Sequence, residues 1–395
     1  MWIDPLKRAV TDFWQRTVLG GRAETPPAPL LEANQTVGRY GLHQLFRYDQ
    51  FDEETGLFFN DHSVSFCFDV LPQTGADEEM RRRLTTLFTP LPAGIGVQWC
   101  LAGTPLLDEA FAAYQHLRHQ AVAREQTDPL FEDLAKRRTQ AVRRSPGRPL
   151  WQGDNYTVKG LRLVFSITKS GSYRDPALVN EMAELKNTLQ AALQSAMLPA
   201  TLMDATALIR FLWPLLNPEV MFQAEAMPDV SYDPGKSIKE QLTAFGQHVK
   251  VTPHEMIWGV APEGERDTRI AMRGFGVMHY PQKKALWEMA HVIGAAFDTG
   301  LHYPCPFVIS GGMVTLDANT VESAAPLKAA RAKQNAQSRM ATFQPELHLQ
   351  AQDWDVVLHH LNQGGHLCEL YHTLLIYSER PRLNSASQVA LNIWK

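Results

Sequence analysis

Val64, Phe66, Phe68 and Val70 alternate with Ser65, Cys67 and Asp69, the period of a strand with one face buried and the other wet. Upstream, Gly56-Leu57-Phe58-Phe59 is a second apolar run. Asn60-Asp61 between the two supplies turn residues that tolerate left-handed backbone, so the pair reads as a β-hairpin. Downstream, Thr74 with Asp77 three residues on predicts an N-cap, and Met80, Leu84, Leu87 and Phe88 then share a helical face that Pro90 and Pro92 end. Val97, Trp99 and Leu101 alternate with Gln98 and Cys100 in a further strand. The unit from Leu45 to Leu101 is thus strand, strand, helix, strand: a sheet with a helix over one face.

The alternation returns at Leu161, Leu163, Phe165 and Ile167, whose expected sheet partner is the Val97 to Leu101 strand. Between them, a helix from about Leu106 through Tyr114, Leu117 and Val122 grows polar. Asp175-Pro176 is an N-cap with proline at the first helical position, followed by a buried stripe of Leu178, Met182, Leu185, Leu189, Ala192 and Leu193. Asp204 caps a short apolar helix that Pro214 and Asn217-Pro218 stop. Further on, Ile257 and Val260 form a short run, and Thr268 to Tyr280 is a strand loosened by Gly274 and Gly276. Leu286, Met289, Ile293 and Phe297 predict a helix, Phe307 to Leu316 a strand, Asn319 to Arg339 an Ala-rich helix, and Asp353 to Leu361 a short helix ended by Gly364-Gly365. Cys368, Leu370, Leu374 and Ile376, with His372, line one face of the last strand. Gln388 to Trp394 opens a helix at which the sequence stops, which reads as a fragment. The fold class is α+β: two lobes of mostly antiparallel sheet layered with helices, 39–230 and 231–395, without sequence self-similarity between them.

Residues 1–22 are a separate element. Trp2, Ile3, Leu6, Val10, Phe13, Trp14 and Val18 fall at helical spacing, with Asp4, Lys7, Arg8, Asp12, Gln15 and Arg16 largely opposite. Such an amphipathic helix folds back on its own core, docks on a partner protein, or lies on a membrane surface. Trp2, Ile3, Leu6, Val10, Phe13 and Trp14 are the candidate docking residues. A Pro-rich linker, 23–38, follows.

Composition sets bounds on these readings. At 395 residues and 45% hydrophobic content the chain has room for more than one core, and its formal charge of −4 gives no global attraction to nucleic acid or anionic lipid. Any such binding needs a local patch. The one candidate is 135–150, where Lys136, Arg137, Arg138, Arg143, Arg144 and Arg148 could hold phosphates. It lacks the interleaved aromatics that stack bases, and Glu132 and Asp133 precede it, so the expectation is a solvated, mobile connection rather than a nucleic-acid site. Cys67, Cys100, Cys305 and Cys368 form no C-x-x-C pair and read as buried free thiols in a reducing compartment. No signal peptide is apparent, and the most apolar segment, Ala205 to Leu216, is too short to cross a bilayer.

Gly235-Lys236-Ser237 is a false lead for phosphate binding. A phosphate loop needs glycines whose successive amides point at the ligand, and here Tyr232-Asp233-Pro234 fills that place, with a proline that has no amide hydrogen and a repelling aspartate. A turn with a helix start at Ser237 is expected. His116 and His119, and the group His359, His360, His366 and His372, match no ligand spacing, so no metal is expected. Asp52-Glu53-Glu54 and Asp77-Glu78-Glu79 have no partner for acid or base work.

Glu54-Thr55-Gly56-Leu57-Phe58, Gly75-Ala76-Asp77-Glu78 leading into a helix, Tyr232-Asp233-Pro234, Tyr303-Pro304-Cys305-Pro306-Phe307 and Asp353-Trp354-Asp355-Val356 share one further property. Their collinear order resembles the amino-terminal region of the TraC family, the large ATPases of F-type conjugative type IV secretion systems, from about Arg39 to about Ser378. The resemblance implies an assembly and docking module: a homo-oligomer attached through partner proteins to the inner-membrane channel, at the cytoplasmic face. It implies that ATP and magnesium belong to a carboxy-terminal motor domain and that this stretch is no enzyme and contacts no nucleic acid directly. The alternative reading is a stand-alone nucleic-acid-binding protein that uses Lys136 to Arg148.

Overall fold

The computed structural model describes residues 37–38, 41–73, 77–88, 91–143, 156–223, 227–260, 267–277, 280, 291–294, 299–316, 318–365 and 367–395. The Trp2 to Val18 segment and Arg144 to Arg148 lie outside these, as does most of the helix expected around Leu286 to Phe297.

The first half of the chain runs β1 (Tyr48–Asp52), β2 (Leu57–Asn60), β3 (Ser63–Val70), α1 (Glu78–Phe88), β4 (Ile95–Thr104), α2 (Asp108–Ala123), α3 (Leu130–Arg143), β5 (Gly160–Ser170), α4 (Pro176–Ser195), β6 (Ala200–Leu202) and α5 (Ala205–Leu216). The second runs β7 (Val249–Val251), β8 (Met256–Trp258), β9 (Ile270–Gly276), β10 (Phe307–Thr315), α6 (Ala318–Ala336), α7 (Glu346–Asn362), β11 (Cys368–Glu379) and α8 (Leu383–Trp394). The architecture is mixed, with a large antiparallel sheet and helices against it.

The strands pair in the order β1-β2-β3-β5-β4-β10-β11-β9-β8-β7, with β6 added beside β3. Cut between β4 and β10, this order contains one pattern twice. In each half a three-strand meander comes first, the next strand (β4 or β10) is placed at the cut, and the strand after it (β5 or β11) inserts between that strand and the meander. In each half, too, a pair of helices bridges the strand at the cut and the inserted strand and a helix follows, α4 or α8; the first half adds α1 before β4, and β6 and α5 after α4. The two halves meet where β4 and β10 run antiparallel, Trp99 opposite Gly311. The chain therefore repeats one strand connectivity in its two halves, a relation that the sequence does not display.

Three clusters fill the core. Val64, Phe66, Phe68, Val70, Ile95 and Val97 pack under Leu178, Met182, Leu189 and Leu193 of α4. Beside them Ile257, Ala271, Phe307, Ile309, Leu374 and Ile376 pack under Leu383, Ala386 and Ala390 of α8. On the other face, Leu208, Ile209, Phe211 and Leu215 of α5 cover Cys67, Ala102, Val164, Val308 and Tyr377. This last layer overturns one expectation: the supposedly wet side of β3 is covered by α5, and Ser65 and Cys67 are buried.

Local signals placed most boundaries. β4 pairs with β5 as expected, and Asp175 and Asp204 accept backbone N–H bonds from Ala177 and Ala207 as N-caps of α4 and α5. The turn before β2 needs Gly56 at φ 68°, where its N–H donates to the Asp52 carbonyl oxygen at 2.8 Å. Other details differ. Asp77 caps α1 by accepting from the Met80 N–H at 2.7 Å, and Thr74 lies outside the described residues. Pro214 sits inside α5 rather than ending it. β8 ends before Val260, α7 starts at Glu346, and α8 starts at Leu383. Cys368 is exposed, and the other three cysteines are free thiols at buried or half-buried positions.

Candidate functional site

α2 and α3 form an antiparallel helical hairpin, as do α6 and α7. Each hairpin is held mainly by its own two helices. α2 buries no residue fully, and α3 buries only Ala135 and Thr139, where Gln115 Nε2 donates to Thr139 Oγ1 at 2.5 Å. In the other hairpin Ala325, Ala329 and Ala332 are the buried positions of α6, and α7 buries none. Small side chains let two helices approach closely. What such helices do not bury in the body they present outward: Leu117, Leu130 and Phe131 on one arm are 60%, 57% and 50% exposed.

The basic segment is part of this architecture. Lys136, Arg137, Arg138 and Arg143 stand on α3, so 135–143 is helix where an irregular, mobile connection was expected. The reason is charge spacing one turn apart: Lys136 Nζ lies 2.7 Å from Glu132, and Arg137 Nε 2.8 Å from Asp133. The Lys136 ammonium, with His119, holds the Glu132 carboxyl below its usual range. Arg143 closes the base of the arm on Asp108 at 2.9 Å, with its guanidinium over the Phe111 ring.

A cleft of about 570 Å³ opens at that base, between the arm and α5. Arg143, Arg162 and Arg210 reach its wall, and each holds a carboxylate: Asp108, Asp69 at 2.6 Å and Asp229 at 2.9 Å. Arg162 also covers the Phe211 ring. An anionic ligand would have to displace a resident carboxylate from any of the three guanidiniums. Sequence reading picked out Arg143 alone, because Arg162 and Arg210 are brought to it by the sheet and by α5.

The other sequence candidates are occupied locally. Asp233 Oδ1 accepts the Gly235 N–H at 2.9 Å and Oδ2 lies 3.3 Å from Lys236 Nζ; the Gly235 N–H bond and that ammonium hold the Asp233 carboxyl below its usual range. Gln241 ties the same turn by accepting from the Asp233 N–H, and the short 3-10 turn Lys239–Gln241 stands where a helix start was expected. His116 and His359 are exposed beside Gln120 and Gln363. Among the described residues no three His, Cys, Asp or Glu side chains could share a metal ion, and no helix is long and apolar enough to cross a membrane. Two features had no sequence signal. Asp267, Arg269, Arg380 and Glu255 form an ion network, with Arg380 Nη1 2.8 Å from Asp267, that ties the β8-β9 hairpin to the start of α8. Lys159 is half-buried, its Nζ donating to the Tyr303 carbonyl oxygen at 2.6 Å, and desolvation pushes its amine down to about 8.

A doubled antiparallel sheet carrying two projecting helical arms, with its polar groups engaged locally, defines an α+β scaffold. The chain belongs to the TraC family: the family described as TraC protein matches residues 42–395. It is similar to Protein TraC of Escherichia coli (strain K12), 24% identical over 346 residues that make up 86% of this chain and 38% of that protein. It is thus a protein related to type IV secretion and conjugation, and it spans well under half the length of that relative.

Proposed function

We propose that this chain is an assembly and docking module of a conjugative type IV secretion ATPase, acting in self-association and in attachment to inner-membrane channel proteins at the cytoplasmic face. The observation that carries this reading is the pair of arms, which project apolar side chains that the chain's own core leaves uncovered. The Trp2 to Trp14 segment remains a second docking candidate. In this reading the chain itself neither binds nor hydrolyses ATP, and ATP and magnesium belong to polypeptide that the family has outside the matched stretch. The nucleic-acid alternative is weaker, because Lys136, Arg137 and Arg143 already face carboxylates.

Sedimentation velocity of the purified chain over a hundredfold concentration range tests the proposal. Species heavier than the 44.4 kDa monomer are expected to grow with concentration. A monomer throughout, or hydrolysis of ATP by the chain with contaminants excluded, would overturn it.

A further inference from the structure

The two arms stand in equivalent places and differ in charge. α3 carries four cationic side chains and two acidic ones, with the cations all C-terminal to the acids; Lys136, Arg137 and Arg143 face carboxylates of their own arm, and Arg138 stands on the exposed face. α7 carries three acidic side chains and no lysine or arginine. On α7, Glu346, Leu349, Asp353 and Val356 recur at spacings of three and four and are all exposed, so they form one stripe. On α3, Phe131, Leu134, Arg138 and Ala141 make the matching stripe, also exposed. One stripe mixes apolar with acidic side chains, and the other mixes apolar with basic ones. The helices have 14 and 17 residues, enough for three turns or more of side-by-side contact.

We propose that α3 of one copy packs along α7 of a second copy, with Phe131 and Leu134 against Leu349 and Val356, and Arg138 facing Asp353. This rests on the assembly reading above and names its surface. Charge disfavours the pairing of two α7 helices. Two α7 helices side by side would bring Glu346 and Asp353 of each copy together with no lysine or arginine on either helix, Asp355 being held by Lys333 of its own arm at 2.7 Å, whereas α3 against α7 sets Arg138 opposite Asp353. Because the two surfaces differ, the contact runs head to tail, and repetition closes a ring or extends a filament.

Charge reversal in the full chain tests this. Lys136→Glu with Arg138→Glu, or Glu346→Lys with Asp353→Lys, changes only exposed positions, and circular dichroism melting confirms that each variant folds. Each reversal alone is expected to weaken self-association tenfold or more by sedimentation, and both together in one chain to restore it. Cysteines placed by Arg138→Cys and Asp353→Cys are expected to cross-link between copies. If the wild type self-associates and either reversal leaves it unchanged, or the combined variant is weaker than each alone, this inference falls and the assembly reading stands. If the wild type is monomeric, both fall.

Discussion

The seam between the halves gives the sharpest test of the fold. Gly311 of β10 lies opposite Trp99 of β4, and a Cβ added to it would sit 2.4 Å from Cε2 and 2.5 Å from Cζ2 of the indole. Carbon atoms in contact want about 3.5–4.0 Å, so the ring would have to retreat by about 1 Å or the strands part. Trp99 is half-buried, and its ring centroid lies 5.3 Å from that of His372, which limits its retreat on that side. Gly311→Ala is therefore expected to cost about 1–3 kcal/mol, the usual scale of overpacking. With the indole removed by Trp99→Ala, the same change should become favourable by about 0.5–1 kcal/mol, since alanine loses less backbone freedom in a strand than glycine. The sign of the Gly311→Ala effect thus reverses between backgrounds, with a coupling of about 1.5–4 kcal/mol by double-mutant cycle. Urea denaturation of the four proteins measures it. Equal effects of Gly311→Ala in both backgrounds would refute the claim that the indole occupies the glycine's side-chain space and holds the two halves in register.

Burial pushes the Cys67 thiol up to about 11, so its neutral form contributes stability that is complete below the ordinary thiol range and lost as pH rises toward 11. Cys67→Ala should accordingly destabilise at pH 8 through lost packing, and the gap to wild type should narrow by about 1.4 kcal/mol at pH 10; a constant gap would contradict the burial. Asp175→Ala removes the cap of α4 and should cost about 1 kcal/mol in thermal or chemical melts, with asparagine largely restoring it. Phe66→Ala, in the fully buried cluster under α4, should cost about 3–5 kcal/mol, and a loss below 1 kcal/mol would place that face in solvent.

Strands buried in the middle of the sheet were legible because alternation needs only local sequence: Val64 to Val70, Val97 to Leu101 and Leu161 to Ile167 all became strands. Short strands at or near the margins, β1, β6 and β7, carry too few residues to show a period. The internal duplication was invisible for a different reason. It resides in which strand pairs with which, and those choices join residues two hundred positions apart, as with Trp99 and Gly311. Of the arm helices, α2, α6 and the second half of α7 were read as helices, and α3 was misread: it buries only Ala135 and Thr139, so no buried apolar stripe marks it as a core element. The spacing of Glu132 to Lys136 and Asp133 to Arg137 was the usable signal; counted as a block of charge, it pointed to a loose connection.

The way the arms are attached has a consequence for how this protein can vary. Thr104, where β4 ends, is directly paired with Gly160, where β5 begins; likewise Thr315 faces Cys368 at the mouth of the second arm. Each excursion leaves the sheet and returns to adjacent points, so an ordinary tight turn could close either gap without shifting a single ladder hydrogen bond. Lengthening, shortening or exchanging an arm therefore leaves the strands beneath it intact, and the contacts the arms make can diversify while the platform stays the same.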